Sequence, residues 1–331
     1  MKIALIVPYF GKMLNYFELW MRSCTANPNI DWILFTDDRR QFNYPGNITV
    51  KYENFVDFRN RFQSNFDFTI SLNHPYKLCD FKPTYGYVLE NELKGYDFWG
   101  YCDIDMIFGD LSKFITNDVL NNSDKIFSFG HLTLYKNEKE QNMMFTKSKG
   151  YKTVLSSNNL FGFDEIGACC ENINLVYEKY MLKTFIKYYI ADINYKYRRL
   201  QLVRNEEIDT DNYIFEYDNG KIHSIYYKYG KLQRTEFMYI HLQKRVMQVR
   251  ITNKCKDKYL IVSDKFIDNI ENINEEQIKY FSGDKRLSQS YIKYQYQFYR
   301  NKLKVVLESK NKYELVVDTL RRYNRFKSKT T

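Results

Sequence analysis

The first 110 residues alternate short apolar runs with amphipathic segments, and few folds accept that alternation. Lys2-Ile-Ala-Leu-Ile-Val7 is continuously apolar and stops at Pro8, and Asp31-Trp-Ile-Leu-Phe-Thr36 repeats the pattern and stops at Asp37-Asp38. Strands apolar on both faces belong inside a parallel sheet covered on both sides by helices. The intervening sequence fits that reading. A helix is expected over about 14–26, a third strand over 49–53 and an amphipathic helix over 56–66. Another helix is expected to open at Lys82-Pro83, where proline suits the first turn, and to run through Leu93. A further buried strand over 98–103 completes a doubly covered α/β sheet.

Ligands of such sheets bind beyond the carboxyl ends of the strands. Four carboxylates stand there: Asp37 and Asp38 after the second strand, Asp103 and Asp105 after the last. In extended chain, residues i and i+2 project to one side, so Asp103 and Asp105 can address one point. Two hard oxygen ligands beside aromatic bulk lose solvation unless a cation compensates, and Mg²⁺ or Mn²⁺ shared with a substrate phosphate suits them.

The second half reads differently. Short strands flank His131 at 126–130 and 132–135. Residues 213–217 and 221–227 around Asp218-Asn-Gly220 form a hairpin signal, because Asn-Gly supplies the positive φ of a tight turn. One strand is expected over 236–242 and a last one over 259–262, after which the pattern turns helical. A catalytic domain over 1–262 and a basic, aromatic helical extension over 263–331 are the expected units.

Composition narrows the function classes. The 331 residues, 44% of them hydrophobic, suffice for one large core. No run of eighteen apolar residues exists, so no transmembrane helix is expected, and the N-terminal apolar run is too short for a secretory signal. The six cysteines lack metal-type spacing and read as reduced, largely buried thiols of a cytoplasmic protein. Residues 285–331 hold 13 Lys and Arg against Glu308, Glu314 and Asp318, a net of +10, which is the whole chain's excess. A neutral body with a basic tail argues against a general nucleic-acid binder and for a local anionic contact. The aromatic and basic residues of 291–307 suit an anionic membrane surface, with a helix docked on the domain or an RNA contact as the competing readings.

Three motifs, Lys77-Leu-Cys-Asp-Phe-Lys-Pro83, Trp99-Gly-Tyr-Cys-Asp-Ile-Asp-Met-Ile-Phe-Gly-Asp-Leu111 and His241-Leu-Gln-Lys-Arg245, give the chain a family likeness. Over roughly residues 1–250 it resembles the metal-dependent GT-A glycosyltransferases, and within them a bacterial surface-polysaccharide group. The resemblance implies a GT-A fold, a Rossmann-like mixed sheet with a C-terminal helical extension. It also implies a nucleotide-sugar donor, UDP-sugar by expectation, whose diphosphate is bridged to the protein by Mn²⁺ or Mg²⁺. On this likeness Asp105 and His241 hold the cation, and Asp103 reaches it through water or contacts the ribose. Lys244 and Arg245 would hold the departing diphosphate. The donor's nucleotide would meet Pro8, Tyr9, Thr36, Asp37 and Asp38, with Lys77, Asp80 and Lys82 positioning it. If the reaction inverts the anomeric centre it needs a base, for which Asp164 and Glu165 after Phe161-Gly-Phe163 are the candidates. A glycan or polyprenyl-linked acceptor and a peripheral place on the inner face of the cell membrane are implied as well. Two other classes remain open on residues alone. A sugar-1-phosphate nucleotidyltransferase would want a Gly-rich loop after the first strand, which Pro8-Tyr-Phe-Gly11 does not supply, and a non-catalytic membrane- or RNA-binding protein would rely on the tail.

Overall fold

The structure, a computed structural model, describes residues 1–165, 171–204, 208, 210–243, 245–252 and 257–308. Four parallel strands come first: β1 (Ile3–Pro8), β2 (Ile30–Thr36), β3 (Ile48–Tyr52) and β4 (Phe98–Cys102). They lie in the order β3-β2-β1-β4, with Ile3 paired to Ile30 on one side and Phe98 on the other. Alternate residues serve opposite faces. Ile3, Leu5 and Val7 enter one core with Trp20 and Trp32, and Ala4 and Ile6 enter a second with Phe58, Trp99 and Tyr101. Burial of both faces is what the unbroken apolar runs required.

The helices Phe17–Thr25 and Phe55–Gln63 cover the sheet as expected, the second capped by Asn54, which accepts from Asp57 N at 2.9 Å. The expected helix from Lys82 to Leu93 is different. It is a chain of single turns, Leu78–Phe81, Lys82–Thr84 and Tyr85–Val88. Pro83 lacks an amide donor, and Gly86 lies so close to Trp99 that a Cβ there would fall 2.4 Å from the indole.

From β4 the chain passes into β5 (Met106–Phe108), which leaves the first sheet, and returns to it in β6 (Lys125–Phe129), β7 (Leu132–Lys136) and β8 (Thr184–Phe185). β7 runs antiparallel beside β4, and β6 and β8 follow it outward. The result is a seven-stranded mixed sheet, the Rossmann-like mixed α/β architecture that was expected.

The remaining strands are β9 (Ile190–Asp192), β10 (Tyr213–Asp218), β11 (Lys221–Lys228), β12 (Lys231–Phe237), β13 (Tyr239–His241), β14 (Gln248–Arg250), β15 (Lys258–Ile261) and β16 (Lys265–Asp268). The β10–β11 turn uses Asn219 at φ 47° and Gly220 at φ 81°, the conformation its sequence predicted. The strand expected over 236–242 is divided between two sheets. β12 pairs with β11, and after Met238 the chain enters a three-stranded sheet ordered β5-β13-β9. β15 is not the last strand, because it turns back into β16. That hairpin straddles residue 262, and the helix Glu275–Ser282 packs Ile278 against Ile214 and Leu260 of the same sheet. The helix Gln289–Glu308 follows. No helix among the described residues is long and apolar enough to cross a membrane. Cys24, Cys79 and Cys102 are free thiols, while Cys169, Cys170 and Cys255 lie outside the described residues.

Candidate functional site

The small three-stranded sheet brings distant carboxylates and imidazoles together. β13 runs antiparallel to β5 and parallel to β9, so His241 is in register with Met106 on one side and Asp192 on the other. Asp105 immediately precedes β5, and its carbonyl accepts from Leu242 N at 2.9 Å. His241 Nε2 therefore lies 3.4 Å from Asp105 Oδ1, and its Nδ1 lies 2.8 Å from Asp192 Oδ1. Gln243 Nε2 donates to the same Asp192 oxygen at 2.9 Å. Ligand-type atoms of Asp103, Asp105 and His241 all fall within 4.8 Å of one another, as do those of His131, Asp192 and His241. Asp192 is the residue that motif reading missed. Its only signal was a lone acid at the end of a three-residue strand.

Charge in this group is unbalanced toward the negative. Burial works against a protonated His241, yet the carboxylates on its two nitrogens raise its pKa to about 10. His131 stacks on His241 with ring centres 4.3 Å apart. Burial first, then the charge of His241, depresses it to about 3, so it is a neutral imidazole, and its Nε2 has no hydrogen-bond partner among the described residues. The two carboxylates of Asp103 and Asp105 beside the His241 imidazole are a donor set that fits a divalent cation. Its second shell fits too, since a carboxylate on the far nitrogen of a ligating histidine fixes the ring and its tautomer.

Lys82 joins this group to the Asp164 loop. Its ammonium donates to Asp103 Oδ1 at 2.7 Å and to the Gly130 carbonyl at 2.5 Å, and lies 3.7 Å from Asp164 Oδ2. Asp103 is held below its usual range chiefly by that lysine, against the effect of burial. Asp164, 3% exposed, is pushed up to about 7 by burial, which outweighs Lys82. Glu165 accepts from Gly130 N at 3.2 Å. A bulge in β6, with Phe127 at φ 68°, turns Ser128 to Gly130 toward these acids.

All of them line one cavity of about 1840 Å³, beyond the carboxyl ends of β1 and β4. Its wall includes Pro8, Tyr9, Asp103, Asp105, His131, Asp164, Asp192 and His241. Pockets for a single drug-sized ligand span roughly 300–1,000 Å³, so this cavity is larger than one such ligand needs.

Several residues expected at the site serve elsewhere. Lys77 and Asp80 are fully buried and pair at 2.7 Å. Lys77 also donates to the carbonyls of Val154 and Asn159, and Asp80 accepts from Phe161 N and Phe163 N. They anchor the segment that leads to Asp164 and do not line the cavity. Thr36, Asp37 and Asp38 do not line it either. Asp37 accepts from Gly11 N at 2.6 Å and Asp38 from Met13 N at 2.8 Å, so they fasten the loop that carries Tyr9. Arg40 grips Asp38 and holds its carboxyl far below the usual range. Arg245 reaches the cavity wall, but its two terminal guanidinium nitrogens are spent on the carbonyls of Asn194, Tyr197, Arg198, Arg199 and Ser263. Lys244 lies outside the described residues.

Over residues 5–270 the sequence matches a protein family described as a family of unknown function, DUF6625. The chain belongs to that family. No curated protein matches it in sequence. Among solved structures, it is similar to galactosyltransferase LgtC in complex with donor and acceptor sugar analogues, at 14% identity and a TM-score of 0.30. That alignment covers 46% of this chain and 66% of the LgtC chain, just under two thirds of its length. It is also similar to the glycosyltransferase GlyE of Streptococcus pneumoniae TIGR4, at 14% identity and a TM-score of 0.31, over 56% of this chain and 44% of that one.

Proposed function

We propose that this DUF6625 member is a divalent-cation-dependent glycosyltransferase. It would move a sugar from a nucleoside-diphosphate donor, a UDP-sugar first, to a glycan or lipid-linked acceptor of a bacterial surface polysaccharide. The observation that carries the reading is the convergence of Asp103, Asp105 and His241 within 4.8 Å on the wall of the large cavity at the strand ends. Mn²⁺ is favoured over Mg²⁺ because an imidazole joins the two carboxylates.

Asp105 and His241 would hold the cation directly, and Asp103 would complete the set from its contact with Lys82. A bound divalent cation supplies charge neutralisation for the departing nucleoside diphosphate. Asp192 keeps His241 Nε2 aimed at Asp105. Pro8 and Tyr9, on a loop fastened by Asp37 and Asp38, form the donor's nucleotide wall. Asp164 is the base that takes the acceptor hydroxyl proton if the reaction inverts, and burial suits it to hold a proton near neutral pH. Lys82 keeps Asp103 ionised and spaces it from Asp164. Arg245 has no free donor pair for a diphosphate, so Lys244 is the remaining cation of that motif for the role.

A screen of nucleotide-sugar hydrolysis with Mn²⁺, run on wild type and Asp105→Ala, tests the reading. Turnover of at least one donor that is lost in the variant supports it. A variant as active as wild type, or no donor turned over, sinks it.

A further inference from the structure

Along the edge formed by β6 and β8 the cavity wall gathers Lys125, Lys187 and Arg204, with Glu178 also on the wall. Lys125, the first residue of β6, is 1% exposed and lines the cavity. Its ammonium donates to Asn174 Oδ1 and lies 5.2 Å from the centre of the Tyr177 ring. Asn174 has no freedom to turn, because its amide nitrogen donates to the carbonyls of Ser128 at 3.2 Å and Glu165 at 2.8 Å. Lys125 has no carboxylate partner among the described residues, and burial alone lowers its pKa to about 7. A buried ammonium with a neutral amide and a ring face for company is costly to keep, and a methionine would pack there without that cost.

Two more cations stand on the same edge. Lys187, exposed, lies 5.9 Å from the ring centre of Phe185 and 5.5 Å from that of Tyr189. Arg204 lies 4.2 Å from the ring centre of Tyr188. Neither pairs with a carboxylate among the described residues, and both line the cavity.

We propose that this edge is a subsite for an anionic sugar group, a carboxylate or a phosphate ester on the acceptor, with Lys125 as its buried counter-ion. The assignment to the acceptor rests on the transferase reading above. Contacts run from Asp103 to Lys82, to Gly130, to Glu165, to Asn174 and then to Lys125. The subsite thus lies beyond the Asp164-Glu165 pair as seen from the cation group, which is where an acceptor must enter. A bound anion supplies the charge that Lys125 lacks, and charge-assisted hydrogen bonds to a desolvated lysine are strong.

The test is calorimetric titration of the full chain with glucuronate, inorganic phosphate and glucose. A chelator is present so that no divalent cation links the anion to Asp103 and Asp105. Glucuronate or phosphate is expected to bind and glucose is not, and the binding one identifies the group as carboxylate or phosphate ester. Lys125→Met should weaken binding by about ten-fold or more. Lys187→Ala, at an exposed position where folding is not at stake, should weaken it by a smaller factor, about two- to five-fold. Asp105→Ala should bind the anion as wild type does. Glucose binding as well as glucuronate, no anion bound, or unchanged affinity in both lysine variants would overturn the subsite. Failure of donor turnover with Lys125-dependent anion binding intact would instead count against the transferase reading alone.

Discussion

Asp192 and Asp164 are two acids of the proposed site that stand outside the D-x-D motif. Asp192 accepts from His241 Nδ1, and this bond keeps Nε2 facing Asp105. Asp192→Asn keeps the shape but removes the charge, and second-shell changes of this kind typically weaken metal affinity about 10–100-fold. Mn²⁺ binding followed by electron paramagnetic resonance should show that loss, and an unchanged Kd would remove Asp192 from the role. Asp164 is raised to about 7 by burial, so as a base it is competent only above that pH. The rate should climb with pH through about 7, and Asp164→Asn should lower kcat by about 10²–10⁴-fold and abolish the limb. Stability supplies a second readout. Between its unfolded value near 3.8 and its folded value near 7, the native state holds a proton that the unfolded state has released. The stabilisation is therefore full below about 3.8 and is lost as pH rises through about 7, a slope that Asp164→Asn should flatten.

The strand β4 and the broken helix that covers it show how an element is fitted to its neighbour. Gly86 gives the Trp99 indole room to lie flat beneath it, and Trp99 stacks on Tyr135 with centroids 4.7 Å apart. Gly86→Ala would place a methyl group inside the ring, so one of the two must move. The cost should be about 1–3 kcal/mol, read as a lower urea midpoint with an unchanged m-value. Sequence periodicity suggested a continuous helix here, where single turns stand. The spacing of Val88, Leu89 and Leu93 was visible, whereas the demand of Trp99, thirteen residues on, was not. The same division runs through the rest of the chain. Strands buried on both faces, β1, β2 and β4, were legible because unbroken apolar runs have one stable use. β5 and β9, three residues each, carry too few residues for a period to register, and β13 was legible only as the end of one longer strand, yet these three assemble the site. The D-x-D acids and His241 could be named from motifs. Lys77, Asp80 and Arg245 share those motifs, yet the space around them turned their charges inward onto backbone groups.

At the scale of the whole molecule, one continuous set of contacts leads from the cavity to the tail. Arg245 gathers the carbonyls of the 194–199 loop, and that loop meets the start of the helix Gln289–Glu308. Ser288 Oγ donates to the Tyr195 carbonyl at 2.5 Å, and Tyr291 lies 5.8 Å from the Tyr195 ring, itself a cavity residue. The start of the helix is thus rooted on a residue of the cavity wall. Ile292, Tyr296 and Tyr299 are 53%, 68% and 57% exposed. Their i, i+4, i+7 spacing puts them on one face. Lys293 and Arg300 stand on the same helix, and residues 309–331, outside the described part, add further basic charge. An exposed apolar stripe on a basic helix is suited to lie in the headgroup region of an anionic bilayer. Such a placement would bring the cavity near acceptors held in the membrane. Flotation with vesicles containing phosphatidylglycerol should carry the full chain upward at low salt. Replacing Ile292, Tyr296 and Tyr299 together by glutamate should leave the protein at the bottom of the gradient while its circular dichroism is unchanged. If the stripe serves only to pack against another protein, the variant will float as well as wild type. High salt should weaken binding only in part, because the apolar stripe is not screened.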